Sequence, residues 1–308
     1  MSNGLTEKRF EEHITDCLAG SAMYCQRQHQ DFDIKNMCDR GELLRFMKAQ
    51  TKVWAKLTKE FGEGALDEVV RVYNSTLDNQ GMLHVLKKGI KIKGTEVRFV
   101  AFRDEMAPEG REPDLLYKAN RFAVVRQMRY SLDKKDSQNS IDLVILINGL
   151  PIITAELKNE FTDQNYTHSI MQYRKDRNPD NRFLRSCLVH FAVDNNYAFM
   201  TTRLKGDDTH FLPFNQDSVN PAPHVVQHIL RKLLRFGIRQ ILLQPLGVQR
   251  RLVHAHQANG AEVVREGPQV TSGVGIQALV HEARDDLTLD AQGSGRDVHV
   301  AVEHVATT

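Results

Sequence analysis

The densest hydrophobic stretch of the chain runs from Ile141 to Leu157, as two apolar runs joined by Asn148-Gly149-Leu150-Pro151. Short β-branched runs bounded by turn residues read as buried strands, and two of them around Asn-Gly read as a β-hairpin. In the first run Ile141, Leu143, Ile145 and Ile147 alternate with Asp142, Val144, Leu146 and Asn148. In the second, Ile153, Ala155 and Leu157 alternate with Ile152, Thr154, Glu156 and Lys158. Opposed residues of an antiparallel pair share a face. A three-residue loop, Asn148-Gly149-Leu150, pairs Ile147 with Pro151, and so Asp142 with Glu156 and Leu143 with Ala155. That register leaves one face apolar and gathers the charges on the other, whereas a two-residue loop shifts the pairing by one and mixes the faces. The pattern therefore predicts two carboxylates side by side, with Lys158 two residues on.

Around this hairpin the pattern is helical first and β-rich later. Residues 6–18 predict an amphipathic helix with Thr6 as N-cap and Phe10, Ile14 and Leu18 as its apolar stripe. Glu7 and Glu11 share a helix face with Ile14, which could bring a carboxylate to a site; a solvated face is the plainer reading for either. Residues 40–88 are mostly helical in pattern, and 86–94 form a local basic segment, open to a phosphate backbone or simply to water. Strands are expected at 96–103 and 122–130, a helix at 166–177 ended by Asn178-Pro179, and strands at 187–194 and 197–202 around an Asp194-Asn195-Asn196 turn. Helices followed by five or six strands with one inserted helix predict an α/β or α+β domain with a helix-flanked sheet.

Composition narrows the partners. The net charge is only +2, so nucleic-acid binding would have to come from a local patch. Four scattered cysteines without a CxxC pair support neither a zinc site nor a disulfide framework, and fit reduced thiols in the cytoplasm. No stretch predicts a membrane span or a signal sequence. From about Pro221 the character shifts: one lysine, Lys232, one aromatic, Phe236, and no Tyr, Trp, Met or Cys follow. The segment 218–308 is thus set apart from 1–217, as a small appended domain or, favoured by its composition, as sequence read in a shifted frame with a helical or poorly ordered structure. His254, His256 and His281 there do not make metal-ligand spacing.

Adjacent carboxylates on one sheet face make a site for Mg²⁺, a hard cation that takes one or two carboxylates with water and phosphate oxygens. Asp142 and Glu156 meet that need, and the carbonyl of Leu157 is a further candidate ligand. Lys158 can orient or deprotonate an attacking water and stabilise developing phosphoryl charge. Asp…Glu-x-Lys recurs by chance, however, and a hairpin with charged ends in water explains the bare triplet as well.

The surrounding residues add specificity. Ile141-Asp142-Leu143-Val144, Ile147-Asn148-Gly149-Leu150-Pro151 and Glu156-Leu157-Lys158-Asn159 closely resemble the endonuclease core of the restriction (R) subunit of type I restriction-modification enzymes, in the PD-(D/E)xK nuclease superfamily. The resemblance extends to Asn120–Gln127, Gln172–Arg177, Val189–Asp194 and Phe211–Asn215, covering roughly residues 5–217. It implies a restriction-endonuclease-like core with a central mixed sheet and a Mg²⁺-dependent DNA endonuclease, with Asp142 and Glu156 as metal ligands and Lys158 as catalytic lysine. Glu11 or Glu7 matches the family's helix-1 acidic residue loosely. Gln172 matches the glutamine of a Gln-x-x-x-Tyr motif, although its tyrosine, Tyr173, follows immediately and Asp176 stands at the fourth position. R subunits continue into an ATP-driven translocase, yet the chain has no P-loop for ATP. The resemblance thus implies a nuclease module that depends on DNA, on modification and specificity subunits and on a motor absent from this chain. A catalytically silent module that binds DNA or partner subunits is the alternative.

Overall fold

A computed structural model describes residues 7–20, 24–103, 108–133, 138–159 and 164–214. The chain opens with α1 (Glu7–Ala19), then β1 (Tyr24–Arg27) and a small β2–β3 hairpin (Phe32–Asp33, Cys38–Asp39). Four helices follow: α2 (Arg40–Ala49), α3 (Thr51–Phe61), α4 (Ala65–Gln80) and α5 (Met82–Lys88). A second small hairpin, β4 (Ile90–Ile92) and β5 (Thr95–Val97), leads to α6 (Glu112–Lys118). The main strands are β6 (Phe122–Arg129), β7 (Ser140–Ile147) and β8 (Leu150–Leu157). Then come α7 (Tyr166–Met171), a π-helical turn (Gln172–Asp176), α8 (Arg182–Ser186), β9 (Val189–Val193), β10 (Ala198–Thr201) and β11 (Leu212–Pro213).

Seven strands form one sheet in the order β1-β6-β7-β8-β9-β10-β11. The β1–β6 and β8–β9 pairs are parallel and the others antiparallel, so the sheet is helix-flanked as the pattern predicts and mixed as the resemblance implies, with seven strands rather than five or six. The parallel β8–β9 step needs a crossover, which α7 and α8 supply. β7 and β8 lie at the centre with nearly every residue buried, which explains their continuous apolar runs. The segment 218–308 lies outside the described residues, as does Thr6.

The expected loop differs. Ile147 pairs with Leu150 and Leu146 with Pro151 around a two-residue Asn148-Gly149 turn; the register then shifts, and Ile145 pairs with Ile153 and Leu143 with Ala155. Ile152 is thus an extra residue, a β-bulge. Both turn residues have positive φ (Asn148 48°, Gly149 87°), the geometry that matches strand twist. The bulge restores by one residue what the shorter loop removes, so the carboxylate end keeps its expected register.

This turn is not a surface tip. Asn148 is fully buried; its amide donates to the Phe99 carbonyl and to Asn120, and its Oδ1 accepts from the Arg121 N–H and from Arg45. A Cβ on Gly149 would fall 2.4 Å from the Asp39 carbonyl oxygen, and Gly149 in turn accepts the Asp39 N–H. Asp39 caps α2 through the N–H groups of Gly41 and Glu42. One end of the hairpin is therefore locked to the start of α2, which fixes where the other end presents its charges.

Two further expectations need correction. The strand at 96–103 stops at Val97 because side-chain amides replace a neighbouring strand: Gln50 pairs with both backbone groups of Arg98, and Asn120 with both of Ala101. The helix at 166–177 remains α-helical only to Met171 before the π-helical turn. In the basic segment, Lys93 pairs with Glu60 and lies over the Phe61 ring, so that charge is engaged within the protein.

Candidate active site

At the open end of the hairpin, strand parity and register bring Asp142 of β7 and Glu156 of β8 to one sheet face, one step beyond the Leu143–Ala155 pair. Both are buried, Glu156 completely. Burial first, then the Asp142 charge, pushes the Glu156 carboxyl well above the usual range, and Arg177 opposes that rise.

Every oxygen of this pair except one is engaged. Asp142 Oδ2 accepts the Leu157 N–H at 2.8 Å, and Oδ1 accepts from Gln127 Nε2 at 3.1 Å. Glu156 Oε1 accepts from Arg177 Nε at 2.8 Å and lies 2.7 Å from Arg177 Nη2 as an ion pair, whereas Oε2 is buried without a hydrogen-bond partner. The Leu157 N–H points to the β7 side. Its carbonyl faces the same side, because the N–H and C=O of a strand residue share an edge. Lys158 follows the strand half-buried, with its N–H donated to the Val193 carbonyl at 2.9 Å.

A third carboxylate joins from α1. Gln127 Nε2 also donates to Glu11 Oε1 at 2.8 Å, while Gln127 Oε1 accepts from Ser140 Oγ at 2.7 Å. Gln127 holds φ 48° within β6, a left-handed conformation that costs a non-glycine residue about 1 kcal/mol or more. Burial and the Asp142 charge raise the Glu11 pKa to about 7, against the opposing effects of Gln127 and Arg126. The helix-1 glutamate at the carboxylate pair is thus Glu11; the Glu7 side chain lies outside the described residues.

This predicts a pH dependence with a definite sign. The folded Glu11 pKa lies above its unfolded value near 4.5, so the folded chain binds more protons between those values and loses stability as pH rises from about 4.5 to 7. The full shift converts to about 3 kcal/mol; screening from its partly solvated side reduces this to about 1–2 kcal/mol. Glu11→Gln should stabilise the metal-free chain by that amount at pH 8 and flatten this part of the profile in urea melts at several pH values. An unchanged slope would exclude Glu11 as its source.

Gln172 is not brought into hydrogen bonding with these groups: it opens the π-helical turn, half-buried, and its Oε1 is without a partner. Its neighbour Tyr173 is fully buried and bonds Thr154 Oγ1 at 2.8 Å. Thr154 in turn lies 2.7 Å from His190 Nδ1, and burial lowers that imidazole to about 3. Sequence reasoning missed Gln127 and Arg177. Arg177 left a usable signal, since buried carboxylates require a cationic partner; the left-handed backbone of Gln127 left none.

Among the described residues, no group of three or more His, Cys, Asp or Glu side chains converges to hold a metal ion as it stands. The donors brought to one face are two carboxylates, Asp142 and Glu156, both hard oxygen donors, with one buried oxygen unused. That suits Mg²⁺ with water completing its shell, and not a softer metal. Among the described residues no helix is long and apolar enough to cross a membrane. A search of curated proteins found no match. The family profile for the type I restriction enzyme R protein N terminus matches residues 6–209, so the chain, with its mixed sheet and buried carboxylate hairpin, belongs to the family of type I restriction enzyme R-subunit N-terminal domains.

Proposed function

We propose that this domain is the Mg²⁺-dependent DNA endonuclease module of a type I restriction enzyme R subunit. It would hydrolyse phosphodiester bonds in the cytoplasm, in complex with modification and specificity subunits and with a translocase that feeds it DNA. The observation that carries the reading is the buried Asp142–Glu156 pair with Glu156 Oε2 left bare. An uncompensated polar atom costs about 1–3 kcal/mol, more when charged, so its retention calls for a ligand.

Asp142, Glu156 and the Leu157 carbonyl would hold the cation. When bound, Mg²⁺ neutralises charge on the phosphoryl group and acidifies a coordinated water. Lys158 supplies the remaining chemistry: its ammonium orients the attacking water and stabilises developing negative charge, and its amine form can take the water's proton. Gln127 fixes the Asp142 carboxylate from one side and the Leu157 N–H fixes it from the other. Gln172 is retained as a catalytic candidate from its motif, with the bare Oε1 as its support.

The test is supercoiled plasmid cleavage by the full chain assembled with modification and specificity subunits and a translocase, with Mg²⁺ or with excess EDTA. Cleavage with Mg²⁺ and none with EDTA is expected. Assembly and DNA binding without cleavage under either condition would favour the silent binding module.

A further inference from the structure

Arg177 stands immediately after the π-helical turn, and two of its nitrogens converge on a single oxygen of Glu156, Nε at 2.8 Å and Nη2 at 2.7 Å. Arginine and carboxylate ordinarily meet fork to fork, one nitrogen on each oxygen. Here both fall on Oε1, and Oε2 is left buried and bare. The guanidinium is itself fixed: Nη2 donates to the Ser140 carbonyl at 2.8 Å, and the group lies 5.6 Å from the Tyr130 ring centroid. A pair selected for stability alone would gain by turning the carboxylate to use both oxygens.

We infer that Arg177 is a positioning residue that grips Glu156 Oε1 so that Oε2 is presented to a divalent cation. The inference rests on the proposed metal site. It accounts for the π-helical turn, because the extra residue of such a turn resets the helical phase and carries Arg177 to Glu156 while Tyr173 stays in the core. It also requires arginine in particular: a lysine ammonium is one point charge without the planar fork that fixes both the direction and the rotation of the carboxylate.

Mn²⁺ binding to the full chain, read by electron paramagnetic resonance, tests this without any cleavage assay. Wild type should bind Mn²⁺, and Glu156→Gln should lose that binding. Wild type failing to bind would remove the metal site itself. Given wild-type binding, Arg177→Gln should bind about 10- to 100-fold more weakly, the range for loss of a group that orients a metal ligand. Arg177→Lys should fall between the two. Circular dichroism and thermal melts establish that each variant is folded, and if Arg177→Gln is not, Arg177→Lys against wild type decides. Unchanged or tighter binding in the folded variants would overturn the inference and make Arg177 only a counter-charge.

Discussion

Lys158→Ala should reduce DNA cleavage by the assembled complex roughly 100- to 10,000-fold, the range for removing a positioned proton-transfer group. Stability should change by less than about 0.5 kcal/mol, as is usual for partly exposed positions whose backbone is retained. The position favours this separation. The Lys158 N–H stays bonded to the Val193 carbonyl whatever the side chain, and the buried Leu157 before it anchors the strand. The backbone anchoring of this half-buried residue therefore does not depend on its side chain. Single-turnover plasmid cleavage and urea unfolding of the same preparation separate the two effects. Cleavage within threefold of wild type would remove Lys158 from the chemistry, and a large loss of stability would make it a structural residue. Arginine should restore little, since it retains the charge but cannot give up a proton near neutral pH.

How much was legible in the sequence depends on whether a feature was local. The hairpin was legible because alternation and an Asn-Gly turn are local signals. Its register was inferred through a three-residue loop, whereas the chain uses a two-residue turn and a bulge at Ile152. The faces came out as expected because separating charge from the apolar core constrains the result more tightly than the loop does. β1, with Tyr24, Cys25, Gln26 and Arg27, was not anticipated, being a short and partly exposed strand at the sheet edge. The strand at 96–103 and the helix at 166–177 were overextended for a tertiary reason. Gln50 and Asn120 take the backbone of the first, and the burial of Tyr173 breaks the second. At the site, Asp142 and Glu156 fall on one face in the expected register, and the Leu157 N–H donates to Asp142. What binds them into a network, Gln127 and Arg177, lies 15 residues before Asp142 and 21 after Glu156, beyond the reach of periodicity.

Glu156→Leu should destabilise the chain by about 3–5 kcal/mol, because it leaves the Arg177 guanidinium buried without its carboxylate. Arg177→Leu should cost less, about 1–3 kcal/mol. The asymmetry is chemical: an abandoned glutamate can take up a proton, and burial already pushes Glu156 that way, whereas an abandoned arginine remains charged. In the double variant most of the loss should be regained, since a well-packed apolar pair often equals or exceeds a buried ion pair in stability. Urea unfolding of the four proteins gives the coupling energy directly. If the double variant were instead less stable than either single one, the pair would be a structural fixture of the fold. A regained stability, together with lost Mn²⁺ binding, would mean that the chain keeps two buried charges it does not need for folding. The reason for keeping them would then lie in the bare oxygen they hold in place.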